Sequence, residues 1–135
     1  MTKKTLIVGS GFMGTSIALA SNTDNISCVE QDSNYYASLK KLDIYKNLYT
    51  SIDEINENFD LIIICSRQKE ALEHILDFSN KFPLSVITDI SSSKEFLIDK
   101  NLPENFISSH PICGSHKTGP ENAEHKLFLD KEVIL

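Results

Sequence analysis

Arginine is nearly missing from this chain: Arg67 stands alone, and lysine supplies the other twelve of its thirteen basic residues. Against nineteen acidic residues this leaves a net charge of -6. Without a basic field to draw phosphates in, a nucleic-acid or anionic-membrane partner is excluded. Cysteine is also scarce. Cys28, Cys65 and Cys113 are odd in number and far apart, so they build no disulfide framework and suit a reducing, cytoplasmic setting. No apolar run approaches the roughly 18 residues of a membrane span. Lys3-Lys4 followed by an apolar stretch to Ala20 imitates a signal peptide, but the three glycines inside it fit a strand, a turn and a helix better. Repeats and low-complexity linkers are lacking too. What remains, 135 residues with 41% hydrophobic and 24% charged, describes one ordinary globular domain with room for a core.

The densest chemistry lies in His110-Pro111-Ile112-Cys113-Gly114-Ser115-His116-Lys117-Thr118-Gly119-Pro120. Two histidines, a thiol, hydroxyls and a lysine on a backbone made irregular by glycine and proline suit neither a core strand nor a surface helix. Such a loop is where function tends to sit. Its chemistry depends on what the rest of the chain brings to it.

Residues 5–8 form a continuous, β-branched apolar run, the pattern of a strand buried on both faces of a parallel sheet. Gly9-Ser10-Gly11-Phe12-Met13-Gly14 follows at once, and residues 15–20 keep helical spacing. The first glycine permits the tight turn, the second lets backbone approach a pyrophosphate, and the third allows close helix–strand packing. The helix N-terminus adds N–H donors. A second strand, 26–29, ends in Glu30, Gln31 and Asp32. Glu30 stands near the expected offset for a carboxylate that accepts hydrogen bonds from the adenosine ribose, with Asp32 as competitor. A carboxylate there repels a 2′-phosphate and Gln31 brings no cation, so the expected cofactor is NAD rather than NADP.

The pattern continues with a helix at 34–42, a short strand near 46–48, a helical turn at 52–55 and a buried strand at 60–65. Cys65, Ser66 and Arg67 close that strand on the edge where ligands bind in open α/β folds, so they join the cofactor-binding set; Ser66 is alternatively a helix N-cap. A helix at 69–81 carries an apolar stripe of Ala71, Leu72, Ile75 and Leu76, with His74 read as a surface residue. A strand at 84–88 leads into Asp89-Ile90-Ser91-Ser92-Ser93-Lys94, where Ser92 and Glu95 have the spacing of a capping box. A strand at 105–109 delivers the histidine loop; a helix at 121–128 and a strand at 131–135 follow. Alternating strands and helices predict an α/β fold with a doubly wound, mainly parallel sheet, a Rossmann-type dinucleotide-binding domain. The loops after 8, 29, 65, 88 and 109 then gather on one edge and set His110 beside the cofactor.

Laid out in this way, residues 6–135 resemble the cofactor-binding half of the prephenate/arogenate dehydrogenases, which carry out the oxidative step of tyrosine biosynthesis. Residues 9–18 resemble that family's glycine loop, 89–94 its Asp-x-x-Ser-x-Lys turn, and 110–119 its His-Pro-x-x-Gly-Ser/Thr-x-Lys-Ser/Thr-Gly loop. The resemblance implies that His110 is the catalytic group, with Ser92 hydrogen-bonding to it and to the substrate hydroxyl. It implies Ser115, Lys94 and Lys117 as substrate contacts. It implies an oxidoreductase taking hydride from prephenate or arogenate to NAD with loss of carbon dioxide. Cys113 stands where alanine is usual, and His116 where an acidic residue is frequent. The family also uses a C-terminal helical domain that supplies a substrate arginine and a homodimer interface; residues 1–135 are expected to be the NAD-binding domain alone, weakly active or inactive in isolation. Three alternatives stay open: another Rossmann oxidoreductase, a non-catalytic NAD-binding module, and a zinc site made by His110, Cys113 and His116. In the main reading no metal is expected.

Overall fold

Strand β1 (Thr5–Val8) lies at the centre of a six-stranded sheet, and the burial of its residues explains why. Leu6 and Ile7 are fully buried and Val8 nearly so, which is possible only where both sheet faces are covered. This computed structural model describes residues 3–21, 24–113 and 118–135. Beside β1 run β2 (Ile26–Val29), β3 (Leu48–Tyr49), β4 (Leu61–Ile64), β5 (Val86–Asp89) and β6 (Phe106–Ser108). Their spatial order is β3-β2-β1-β4-β5-β6, and every neighbouring pair is parallel. The order reverses between β1 and β4. At such a switch point the loops leaving the strands' carboxyl ends diverge and open a crevice.

Helices α1 (Phe12–Ala20) and α2 (Ser33–Leu42) belong to one face of the sheet and α3 (Gln68–Lys81) to the other. α1 is rich in small residues and buries Gly14, Thr15, Ser16 and Ala18, which lets it lie close to the strands. α2 is started by Asp32, whose Oδ1 accepts from the backbone N–H groups of Asn34 and Tyr35 at 2.9 and 3.2 Å. It closes with Lys40 and Lys41 in its last turn and Asp43 in the left-handed conformation. The larger core packs Ile75 and Phe78 of α3 with Leu6, Ile62, Ile64 and Ile87 of the sheet. On the opposite face Ile7, Ala18, Ile26, Cys28 and Leu39 form a smaller one.

Several expectations shift. The strand expected at 84–88 is Val86–Asp89, and Leu84 is 99% exposed in the turn before it. An apolar residue beside a proline reads as strand, yet no neighbour covers it. In the stripe on α3, Ala71 and Ile75 are buried but Leu76 is exposed; Phe78 and Ser79 complete the inner face. The helix expected at 121–128 is a single 3-10 turn, Pro120–Asn122, followed by turns. The capping box does not form: the 3-10 turn Glu95–Leu97 has Lys94 at its N-cap position and no side-chain cap. The strand expected at 131–135 is β8 (Val133–Ile134). It pairs antiparallel with β7 (His110–Pro111) in a separate two-stranded ladder, His110 opposite Ile134.

Candidate functional site

A cavity of about 790 Å³ opens along the carboxyl edge of the sheet, on the scale of the roughly 300–1,000 Å³ pockets that hold small ligands and cofactors. Its first wall is the turn after β1. Gly9 has φ +85°, and a side chain on it would press its Cβ to 3.0 Å from the backbone of Ser66. Gly14 faces inward instead: a Cβ there would meet the Gly9 carbonyl at 2.4 Å and Ile7 Cγ2 at 3.0 Å. Bare Cα atoms therefore let the loop after β4 and the first turn of α1 close on the strand. Gly9, Gly11, Phe12 and Met13 border the cavity. The first N–H groups of α1 have no partner within the helix, which makes this end a natural anion cradle.

The end of β2 forms the next wall. Glu30, only 7% exposed, spans the glycine turn: Oε1 accepts from the Ser10 N–H at 2.6 Å and Oε2 from the Asp32 N–H at 2.9 Å. Glu30, Gln31 and Asp32 all border the cavity. Glu30 thus engages both oxygens on backbone N–H groups, while Asp32 spends Oδ1 on capping α2, and both carboxylates stand at the cavity as candidates for a ribose. Ser10, expected at the cofactor, turns its side chain into the core instead. It is fully buried, and its Oγ pairs with Thr15 Oγ1 at 2.7 Å and Tyr45 Oη at 2.5 Å. Gly14 likewise does not reach the cavity; it permits the packing that shapes it.

From β4 come Cys65, Ser66 and Arg67, all bordering the cavity. Burial pushes the Cys65 thiol far above its ordinary value and the Asp89 carboxylate adds to the rise, so it stands as a neutral, inert thiol. Ser66 is not the N-cap of α3; that position belongs to Arg67. Instead Ser66 Oγ lies 2.7 Å from His74 Nδ1, and the His74 ring packs edge-on to Phe78. His74, read from the sequence as a surface residue, therefore borders the cavity. Only one signal could have found it: it lies on the α3 turn that faces the loop leaving β4.

Ile90, Ser91 and Ser92 continue the wall from β5, and His110, Pro111, Cys113, Thr118 and Gly119 complete it. His110 thus faces the same cavity as the glycine turn. Ser92 shares that cavity, but among the described residues no hydrogen bond joins it to His110. Lys94, expected at the substrate, has its ammonium engaged elsewhere, on Asp89 Oδ2 and the Ser109 carbonyl at 2.7 Å each. Ser115 and Lys117, the other two expected substrate contacts, and His116 lie outside the described residues. Burial raises the Cys113 thiol above its ordinary value, partly offset by Lys131. Among the described residues no group of three or more histidine, cysteine, aspartate or glutamate side chains is arranged to hold a metal. No helix among them is long and apolar enough to cross a membrane.

Comparison with known proteins gives this geometry a family. The model of the prephenate dehydrogenase nucleotide-binding domain matches residues 16–135. Prephenate dehydrogenase of Lactococcus lactis is 29% identical over 154 residues, which cover 98% of this chain and 40% of that protein. Its counterpart in Bacillus subtilis is 30% identical over 142 residues, 96% of this chain and 38% of that one. The chain therefore spans about 40% of the length of the curated relatives it matches. The crystal structure of prephenate dehydrogenase from Aquifex aeolicus superposes with a TM-score of 0.87 at 27% identity, over 98% of this chain and 51% of that one. The A. aeolicus enzyme in complex with hydroxyphenyl propionate and NAD+ gives 0.83 at 25%, over 98% and 50%.

Proposed function

The chain belongs to the family of prephenate dehydrogenase nucleotide-binding domains, and on that premise we propose that it is the NAD-binding part of an enzyme that oxidatively decarboxylates prephenate to 4-hydroxyphenylpyruvate. One observation carries the reading: the glycine turn and His110 border a single cavity. The turn and the first N–H groups of α1 hold the pyrophosphate, and Glu30 accepts from the ribose hydroxyls while repelling a 2′-phosphate. The cradle that a Cβ at Gly9 or Gly14 would disturb is the feature that fits such a cofactor. When bound, NAD supplies the hydride acceptor. His110 takes the proton of the substrate's ring hydroxyl, a task an imidazole performs near neutral pH, and carbon dioxide leaves. Ser92 serves the same hydroxyl from the β5 side, and Ser115 and Lys117 contact the substrate.

Prephenate carries two carboxylates, whose natural partner is a bidentate guanidinium. Arg67, the chain's one arginine, sits on the cofactor side. We therefore assign the substrate arginine and the dimer contacts to a helical domain outside these 135 residues, and the working enzyme to the cytoplasm. The test is a titration with NAD and NADP, followed by prephenate and arogenate turnover in wild type and His110→Asn of a protein that also carries the helical domain. Tighter binding of NAD, and turnover that vanishes with His110, are expected. Equal binding of NADP overturns the role of Glu30, and turnover that survives His110→Asn overturns the catalytic assignment.

A further inference from the structure

Asp89 ends β5 fully buried, and its carboxylate is used unevenly. Oδ2 accepts from the Lys94 ammonium at 2.7 Å and from the Ser91 hydroxyl and N–H. Among the described residues Oδ1 has no partner. Lys94 is also the one cation paired with Asp89 among them. Its ammonium makes a second bond of 2.7 Å, to the carbonyl of Ser109. Ser109 is buried and tied to the same strand end twice more, its Oγ and its N–H both donating to the Asp89 carbonyl at 2.6 and 3.2 Å. The next residue is His110, at the cavity rim. On its far side the chain is held by the Ile112 N–H donating to the Glu132 carbonyl at 2.6 Å.

We propose that Lys94 is a positioning residue for His110: anchored on buried Asp89, its ammonium grips the Ser109 carbonyl and so orients the peptide unit that carries the imidazole. The inference rests on the reading of His110 as the proton acceptor, and it gives Lys94 a role away from the substrate. A cation suits the task because a charge-assisted bond to a carbonyl is stronger and more directional than a neutral one. The anchor is stiff because a buried carboxylate with a single cationic partner strongly resists losing it. Displacing a catalytic group by about 1 Å can cost on the order of 10²-fold in rate, so a grip one residue away is well placed to matter.

Two measurements test this. The first is amide hydrogen exchange on the 135-residue chain in wild type, Lys94→Met, Lys94→Arg and the neutral pair Asp89→Asn/Lys94→Met. In Lys94→Met the amides of Ser109 and Ile112 should exchange about tenfold faster while those of β1 and α1 hold their rates, and Lys94→Arg should return them toward wild type. The neutral pair, which has no stranded carboxylate, should show the same local loosening. A uniform rise across all amides, no rise at all, or wild-type protection of Ser109 in the neutral pair would overturn the proposal.

The second is prephenate turnover with NAD in a protein that also carries the helical domain. Lys94→Met should lower kcat by about 10²-fold with KM for NAD unchanged, and should add nothing to the loss caused by His110→Asn. Losses that multiply in the double variant mark a merely structural lysine and refute the inference. Should His110→Asn alone leave turnover intact, the functional reading fails by itself, and the exchange data still decide whether Lys94 grips this segment.

Discussion

The two ends of the cavity are built on different physics. At the glycine end the shape comes from missing atoms: Gly9 and Gly14 lack the Cβ that would collide with Ser66 or with the Gly9 carbonyl, and the proposed recognition falls to backbone N–H groups. At the histidine end the shape comes from added charge. Asp89, Lys94 and the Ser109 carbonyl brace a segment with little regular structure of its own, and β8 closes it from the other side. A cradle made by close packing tolerates almost no added volume, whereas a braced rim tolerates volume and fails when a charge is removed.

Substitutions can sharpen that contrast. The largest effect belongs to His110→Asn, which removes the imidazole proposed as the proton acceptor. We expect kcat to fall by about 10²–10⁴-fold, the span of a general base, with NAD affinity unchanged by calorimetry. A matching loss of NAD affinity would erase the division between the ends. Next is Gly14→Ala, which adds one methyl where 2.4 Å is available. Thermal unfolding should show destabilisation of about 2 kcal/mol, within the range for overpacking. NAD should bind about tenfold more weakly, a loss of ~1.4 kcal/mol. An unchanged affinity would mean that the cradle does not depend on this contact.

The smallest effect lies at a control site away from both ends. Burial pushes Glu57 up, but hydrogen bonds from Lys4, Tyr49 and Asn47 and the Lys4 charge reverse this and hold its carboxyl below the ordinary 4.5. Its contribution to stability is therefore complete above that value and is lost as pH falls through the lowered one. Glu57→Gln should flatten the acid limb of the stability profile by less than about 1 kcal/mol, since the pair is partly exposed, and leave NAD binding alone. Tyr49, its partner, is pushed up to about 12 by burial and by Glu57, so it stays a neutral donor across the same range.

The same division explains how much of the molecule was legible in its residues. Strands β1, β2 and β4 and the glycine turn announce themselves through short-range pattern: apolar runs, glycine spacing and an acid at the right offset. Two glycines act differently from one another, as expected, because their neighbours follow directly from strand–turn–helix order. The rim was harder. Ser92 and Glu95 have capping-box spacing, but Lys94 is drawn to Asp89 and Ser109, the latter fifteen residues on, and the turn starts differently. His74 looked like surface because its partner, Ser66, belongs to the preceding loop rather than to its own helix. Residues 121–128 keep helical spacing without a helix, since Pro120 and the Glu124 N–H, which donates to Ser16 Oγ at 2.9 Å, fasten that stretch to α1 instead. Long-range anchors outvote local periodicity wherever a segment has few apolar contacts of its own.

The pairing of β7 with β8 carries a consequence for the order of assembly. A polypeptide growing from its amino end has made β1, β2 and β4, and with them the glycine turn, well before Val133 and Ile134 emerge to pair with the backbone at His110 and Pro111. The histidine rim is thus the last part of the cavity wall that the growing chain can complete.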